Sequence, residues 1–217
     1  MNFHIITIFP EAIANYFNSS ILGLAQKKKL IKINFYNPRG YAKDKHKKVD
    51  DKPFGGGPGM VLKIEPIAQA ILKIKSKILN LKKNKIILLS PVGRQFTQKM
   101  ARDWAKKYKN IILLSGRYEG IDERVKKIFK AEEISIGPYI LTGGELPAAI
   151  IIDAVSRHIP DVLGKAESLE ESRGVGFPVY TKPEVFKYNG KKYKVPKILL
   201  SGHHQKIQEW KKKHSKK

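Results

Sequence analysis

Three stretches of the chain put glycine and charged residues directly after an apolar run, where backbone amides and side chains can converge on a ligand. They are LLSPVGR (Leu88 to Arg94), LSGRYEGIDERV (Leu114 to Val125) and SIGPYILTGGELPA (Ser135 to Ala148). In an open α/β sheet, ligands bind in the crevice beyond the strand C-termini. Arg117 and Glu119 fall in such a crevice. For Asp122 and Glu123, which follow, the favoured reading is dressing of a helix N-terminus with ion pairs. Each loop alone is a weak signal. Together the three point to one small-molecule pocket lined by backbone amides and apolar side chains.

A fourth stretch, DDKPFGGGPGMV (Asp50 to Val61), holds four glycines and two prolines. It is not a phosphate P-loop, because Met60 follows the last glycine and no Lys-Ser/Thr pair is present. No strand runs straight into it, so the dinucleotide fingerprint fails too. Pro53 and Pro58 restrict their neighbours, which argues against a free spacer. What remains is a shaped wall that another backbone can approach closely, with a plain structural turn as the alternative. Metal and nucleophile chemistry find little support. The six histidines are scattered, and the adjacent His203 and His204 lack the helical spacing of a zinc pair. No Ser-His-Asp arrangement can be placed. With no cysteine, disulfides and thiolate metal sites are excluded.

The elements that must position these loops follow from periodicity. FHIITIF (Phe3 to Phe9), IKINFY, KIILLS (Lys85 to Ser90), NIILLSG (Asn110 to Gly116) and EEISIG read as strands, the third and fourth as nearly continuous apolar runs suited to burial on both faces. EPIAQAILKIKSKIL, QFTQKMARDWAKKY and IDERVKKIF carry apolar residues at helical spacing, and a longer helix is expected over Glu145 to His158. This alternation predicts an α/β fold with a mainly parallel sheet. After Pro160 the texture turns polar and rich in Gly and Pro, as in a linker. The organisation expected is an α/β domain over 1–160, a linker over 161–176, and a small basic C-terminal module over 177–217 with a helix at HQKIQEWKKKH.

The chain has 217 residues, 41% of them hydrophobic, enough to bury a sizeable core. Its N-terminus lacks a basic leader and a span-length apolar run, so a soluble, cytoplasmic protein is expected. Forty-three basic against nineteen acidic residues leave a formal net charge of +24, which attracts polyanions, nucleic acid first among them. General lysine enrichment is the competing account of that charge. Only seven of the basic residues are arginine, and these are the informative ones because a planar fork suits bidentate work.

Taken in order, VDDKPFGGGPGMV, LSPVGR, SGRYEGIDERV, SIGPYILTGGELPA, SRHIPDVLG, YTKPEV and LLSGHH resemble the bacterial tRNA (guanine-N1)-methyltransferase family, knotted enzymes of the SPOUT class, over residues 3 to about 212. The resemblance implies transfer of a methyl group from S-adenosylmethionine to N1 of the tRNA guanine just 3′ of the anticodon, by a homodimer whose active site is shared between subunits. It implies a sheet threaded into a deep trefoil knot, an exception to the rule that chains do not thread loops, and a mostly helical C-terminal domain. Donor contacts carried over are Leu89, Ser90 and Pro91; Gly116, Arg117, Tyr118 and Glu119; and Ile136, Gly137, Tyr139, Leu141, Gly143, Gly144 and Pro147. RNA contacts carried over are Asp50, Gly55, Gly56, Gly57, Gly59, Ser168, Ser201 and His203. The resemblance also raises Mg²⁺, without a metal ligand to name.

Guanine N1 must lose a proton before it can attack, so a carboxylate base is wanted. Negative charge then grows on O6, where an arginine stabilises it. The resemblance supplies Arg157 for the second role. For the base the family has an aspartate followed by Ser-Phe, whereas this chain reads ESLEESRG; Glu171 is the best match, with Glu170 behind it and a solvated linker acid as the plainer reading. Two smaller departures are Pro138, where the family has aspartate, and Val92, where it has glutamine. Against the resemblance, the C-terminal module looks cut short, and phosphate attraction is expected partly to substitute for shape contacts. Three other classes stay open here: a non-catalytic RNA-binding protein on the same fold, a related enzyme acting on another RNA, and, least supported, a nucleotide hydrolase.

Overall fold

Burial alternates along the strands on two sides at once. In the computed structural model, which describes residues 1–78, 80–164 and 176–215, five parallel strands form the central sheet: β1 (Asn2–Ile6), β2 (Lys32–Tyr36), β5 (Asn84–Gln95), β6 (Asn110–Ser115) and β7 (Glu132–Ser135), in the order β2-β1-β6-β5-β7. Ile111 and Leu113 of β6 face one layer of helices and Ile112 and Leu114 the other, all four at 0% exposure. Each such side chain contributes about 1.5–3 kcal/mol by leaving water. This explains why the β6 segment reads as one unbroken apolar run rather than an alternating one.

The first helical layer consists of α1 (Glu11–Phe17), α2 (Ser20–Lys27), α4 (Gln98–Lys107) and α6 (Glu145–Ser156). The second consists of α3 (Ile64–Ser76) and α5 (Glu123–Phe129). The parallel α/β architecture expected from the alternation is present. Helices α1 and α2 were not anticipated, and β1 stops earlier than Phe9 because Thr7 Oγ1 takes the Phe9 amide in a turn (3.0 Å) ahead of Pro10. The starts of α4 and α5 are written locally. Thr97 Oγ1 accepts from Met100 N at 3.3 Å, and Asp122 Oδ1 accepts from Arg124 N at 2.9 Å, each satisfying an amide that has no partner inside its helix.

Between β2 and α3 the short antiparallel pair β3 (Asp50–Asp51) and β4 (Val61–Leu62) brackets the glycine stretch. Leu62 N donates to Gly120 O (2.9 Å) and Asp122 N to Leu62 O (3.1 Å), so the end of that stretch is stitched to the loop after β6.

The chain divides into two compact units, Met1–Gly164 and Lys165–Lys217. The second contains a hairpin, β8 (Val185–Tyr188) and β9 (Lys191–Lys194), followed by α7 (Lys197–Leu200) and α8 (His204–His214). The helix expected at HQKIQEWKKKH is α8. A mostly helical module leaves out the hairpin, although Asn189-Gly190, at φ +48° and +73°, is a strong short-range hairpin signal.

Candidate active site

The three loops flagged by residue type converge. They close a cavity of about 460 Å³ at the C-terminal ends of β5, β6 and β7. From the β5 loop come Leu89, Ser90, Pro91 and Val92; from the β6 loop Gly116, Arg117, Tyr118 and Glu119; from the β7 loop Ile136, Tyr139, Leu141, Gly143, Gly144 and Pro147. Of the residues carried over as donor contacts, Gly137 alone does not line it. Its amide and carbonyl are both engaged by Ser135 Oγ (3.2 and 2.9 Å), so it shapes the turn from behind. Val92 and Ile140 leave an apolar rim around the mouth.

Backbone geometry makes this cavity. β5 breaks register with β7 between Leu89 and Arg94, and that bulge pushes Ser90 to Gly93 outward into a loop. Tyr118 holds φ +59°, a left-handed conformation that costs a bulky residue about 1 kcal/mol or more. The turn that imposes it is closed by Gly120 N donating to Arg117 O (3.0 Å). An outlier at the wall of a pocket is where stored strain tends to sit.

The floor carries a polar network that the sequence reading missed. Glu145, the first residue of α6, is buried, its side chain 3% exposed against 23% for Arg117. Thr7 Oγ1 donates to Glu145 Oε1 at 2.6 Å. Arg117 Nε lies 2.9 Å from Glu145 Oε2, an ion pair held by charge, since the N–H does not align as a hydrogen bond. Arg117 Nη1 also donates to Thr142 O at 3.1 Å, and its guanidinium sits 4.9 Å above the Phe9 ring. Arg117 thereby ties the ends of β1 and β6 to the loop before α6. Glu145 reads in the sequence as an ordinary first-turn acid, and nothing there separates it from Glu123, which is spent on Lys126 (2.8 Å). Asp122 behaves as the sequence suggested: the Arg124 fork holds its carboxyl below the usual aspartate range.

The other carried-over residues of the first unit are not among those that line the cavity. Arg157 caps the C-terminal end of α6, whose N-terminal end forms the pocket floor. The helix has 12 residues, so the two ends stand ~18 Å apart at 1.5 Å per residue. Within one chain Arg157 is therefore not brought to the donor pocket. Glu170, Glu171 and Ser168 lie outside the described residues. Asp50 pairs with Leu62 in the β3–β4 ladder. Gly55, Gly56 and Gly57 are exposed, whereas a Cβ on Gly59 would fall 2.6 Å from Glu119 Oε1, which puts the end of the glycine stretch against the pocket wall. Ser201 and His203 sit in the second unit, between α7 and α8, where His203 N donates to Ser201 Oγ (3.3 Å). Among the described residues, no group of three or more His, Cys, Asp or Glu side chains is placed to hold a metal ion. No helix there is long and apolar enough to cross a membrane.

Comparison with known proteins identifies the family. The family model described as tRNA (guanine-1)-methyltransferase TrmD matches residues 1–217. Among curated proteins, the tRNA (guanine-N(1)-)-methyltransferase of Ruminiclostridium cellulolyticum is 49% identical, with 97% of this chain and 89% of that protein aligned. The protein of the same name from Dictyoglomus turgidum is 50% identical, covering 96% and 82%. That from Carboxydothermus hydrogenoformans is 48% identical, covering 99% and 83%.

Proposed function

The chain belongs to the tRNA (guanine-1)-methyltransferase family, and from that premise we propose that it methylates N1 of guanosine 37, the nucleotide 3′ of the anticodon, in the cytoplasm. The observation that carries the reading is the cavity at the three strand-end loops, which the donor residues named from sequence line almost without exception. Its size and its mixed lining, apolar Leu89, Ile136 and Pro147 beside the charged Arg117, Glu119 and Glu123, suit S-adenosylmethionine. When bound, that molecule supplies an electrophilic methyl group already activated by its sulfonium. Leu89, Gly116, Ile136, Tyr139, Leu141 and Gly143 would hold and orient it, while Pro91 and Pro147 narrow the walls.

What the protein must add is a nucleophile. Glu171 takes the proton from guanine N1, leaving the electron pair on that nitrogen free to accept the methyl group; with the donor bound, its methyl–sulfur bond would break as the new bond to N1 forms, leaving a neutral thioether. Arg157 stabilises the charge that grows on O6. Positioning the ring in line supplies much of the remaining acceleration. The ~18 Å from Arg157 to the pocket floor supports a site completed across a homodimer, in which one subunit contributes the donor pocket and the other the linker. A trefoil knot over the β5–α6 region is part of the same proposal. Its support is the path of the chain after β7, which lies against the loop after β6, Gly144 N donating to Gly116 O at 2.9 Å, before α6 joins α1 and α4. In this reading residues 1–160 are the methyltransferase domain, 161–176 the linker with the base, and 177–217 the tRNA-binding module. Mg²⁺, which the resemblance raises, has no ligand set to name among the described residues; turnover measured with and without EDTA tests whether a divalent ion takes part.

The test is methylation of a tRNA transcript by the wild type, Glu171→Gln, Glu170→Gln and Arg157→Ala, with primer extension mapping the product to position 37. Losses of at least about a hundredfold are expected for Glu171→Gln and Arg157→Ala. A wild-type rate in Glu171→Gln removes it as the base. Mixing Glu171→Gln with Leu141→Arg, which fills the pocket mouth, should restore activity in the heterodimer if the site is shared.

A further inference from the structure

The β8–β9 hairpin shows its rings to solvent. Opposed residues in an antiparallel ladder share a face, and the register pairs Phe186 with Tyr193 and Tyr188 with Lys191. Three aromatic rings and one ammonium therefore lie on one side. Val185 with Lys194, and Lys187 with Lys192, lie on the other. Phe186, Tyr188 and Tyr193 are 56%, 59% and 55% exposed. The rings of Phe186 and Tyr188 are nearly parallel, 11° apart in plane with centroids 6.5 Å apart. In a chain that folds Trp104, Phe17 and Phe3 into its core, three half-exposed rings side by side are not explained by packing.

We propose that this face is a stacking platform for unpaired nucleobases of the RNA substrate, with the lysines tracking the phosphates; the proposal rests on the tRNA-methyltransferase reading for the identity of that RNA. Aromatic faces combined with a basic track are how single-stranded nucleic acid is held without sequence readout. Between Val185 and Lys194 there are four lysines and no acid. That composition suits a polyanion and opposes self-association, since a second copy of the same hairpin would bring its lysines against these. The Asn189-Gly190 turn and the β8–β9 ladder hold the strands, so the rings are presented on a regular element rather than a free loop.

The test measures binding of three RNAs to the full-length protein: a tRNA transcript, an unstructured single strand and a fully paired duplex. Phe186→Ile, Tyr188→Val and Tyr193→Val combined remove the rings and keep strand-forming residues. The ring-less protein should lose at least tenfold in affinity for the tRNA and the single strand, with duplex affinity, salt slope and donor affinity within twofold of wild type. A Phe186→Trp, Tyr193→Trp protein should bind the single strand at least as tightly as wild type. Lys187→Ala with Lys192→Ala and Lys194→Ala should flatten the salt dependence for all three RNAs. Wild-type tRNA affinity in the ring-less protein, an equal loss for duplex and single strand, or a changed sedimentation coefficient that points to a partner copy on this face, each overturns the proposal. Methyl transfer by the wild type, assayed in parallel, tests the parent reading alone. If it fails while ring-dependent single-strand binding persists, that reading falls and the platform stands.

Discussion

Gly144 of the pocket and Gly93 beside it do the opposite work to Gly55, Gly56 and Gly57 of the Asp50–Val61 stretch. At Gly144 a Cβ would lie 2.6 Å from Ser115 Cα, and at Gly93 2.5 Å from Ile134 N, both backbone atoms that cannot step aside. At Gly55, Gly56 and Gly57 there is nothing within 4 Å, yet φ is +86°, +79° and +113°. The first set is glycine because there is no room; the second is glycine because of conformation, with room to spare. One region walls a cavity of small-molecule size and is fixed by the Arg117–Glu145 ion pair. The other holds a bent backbone open beside it and meets the pocket wall at its end, where Gly59 lies against Glu119 and Met60 O accepts from Glu119 N at 3.0 Å.

The largest effect that separates them is expected from Gly144→Ala. The added carbon must displace the β6 loop, so donor affinity by calorimetry should fall at least about a hundredfold, the ~3 kcal/mol that overpacking commonly costs. Retained donor binding would break the comparison at its tighter end. Next is Glu145→Ala, which leaves Arg117 without its carboxylate and Thr7 without its acceptor. A fully buried pair loses about 3–5 kcal/mol when one partner goes; because Arg117 is 23% exposed, we expect about 2–4 kcal/mol, read as a fall in the denaturant midpoint. Glu145→Gln, which keeps an acceptor for Thr7, should recover part of it.

Salt distinguishes the regions without mutation. With a formal charge of +24, tRNA affinity should drop about tenfold or more between 50 and 200 mM salt. Donor affinity, set inside a pocket where salt screens charges less than on the surface, should move far less, and a flat tRNA response would refute the electrostatic part of the argument. The smallest effect is expected from Gly56→Ala, where the penalty is roughly 1–2 kcal/mol of left-handed backbone strain and no clash. Donor affinity should match wild type while the KM for tRNA rises a few-fold; an equal loss of both would mean that the open loop is part of the pocket.

Much of the architecture was legible because it is periodic. The apolar runs at Lys85 to Ser90 and Asn110 to Gly116 could bury both faces only inside a parallel sheet, and the loops after them are where such sheets bind ligands. The β3–β4 ladder, two residues a side, is too short to leave a period, and α1 and α2, of seven and eight residues, are too short to show more than two turns of one. The Asn189-Gly190 turn was a visible signal passed over for the charge around it.

The sequence by itself determined the fold class, the three loops and the family, since residue type and order along the chain carry all three. Tertiary structure decided which glycines are crowded and which are merely bent, because a φ angle and a neighbour across space leave no mark on one-letter text. It decided that Glu145 is a buried anchor while Glu123 is a surface partner of Lys126, two first-turn acids told apart only by what packs over them. It also decided that Arg157 stands a helix length from the pocket floor: α6 has to run the depth of the sheet to cover the apolar faces of β5 and β6, and its two ends cannot meet in one chain.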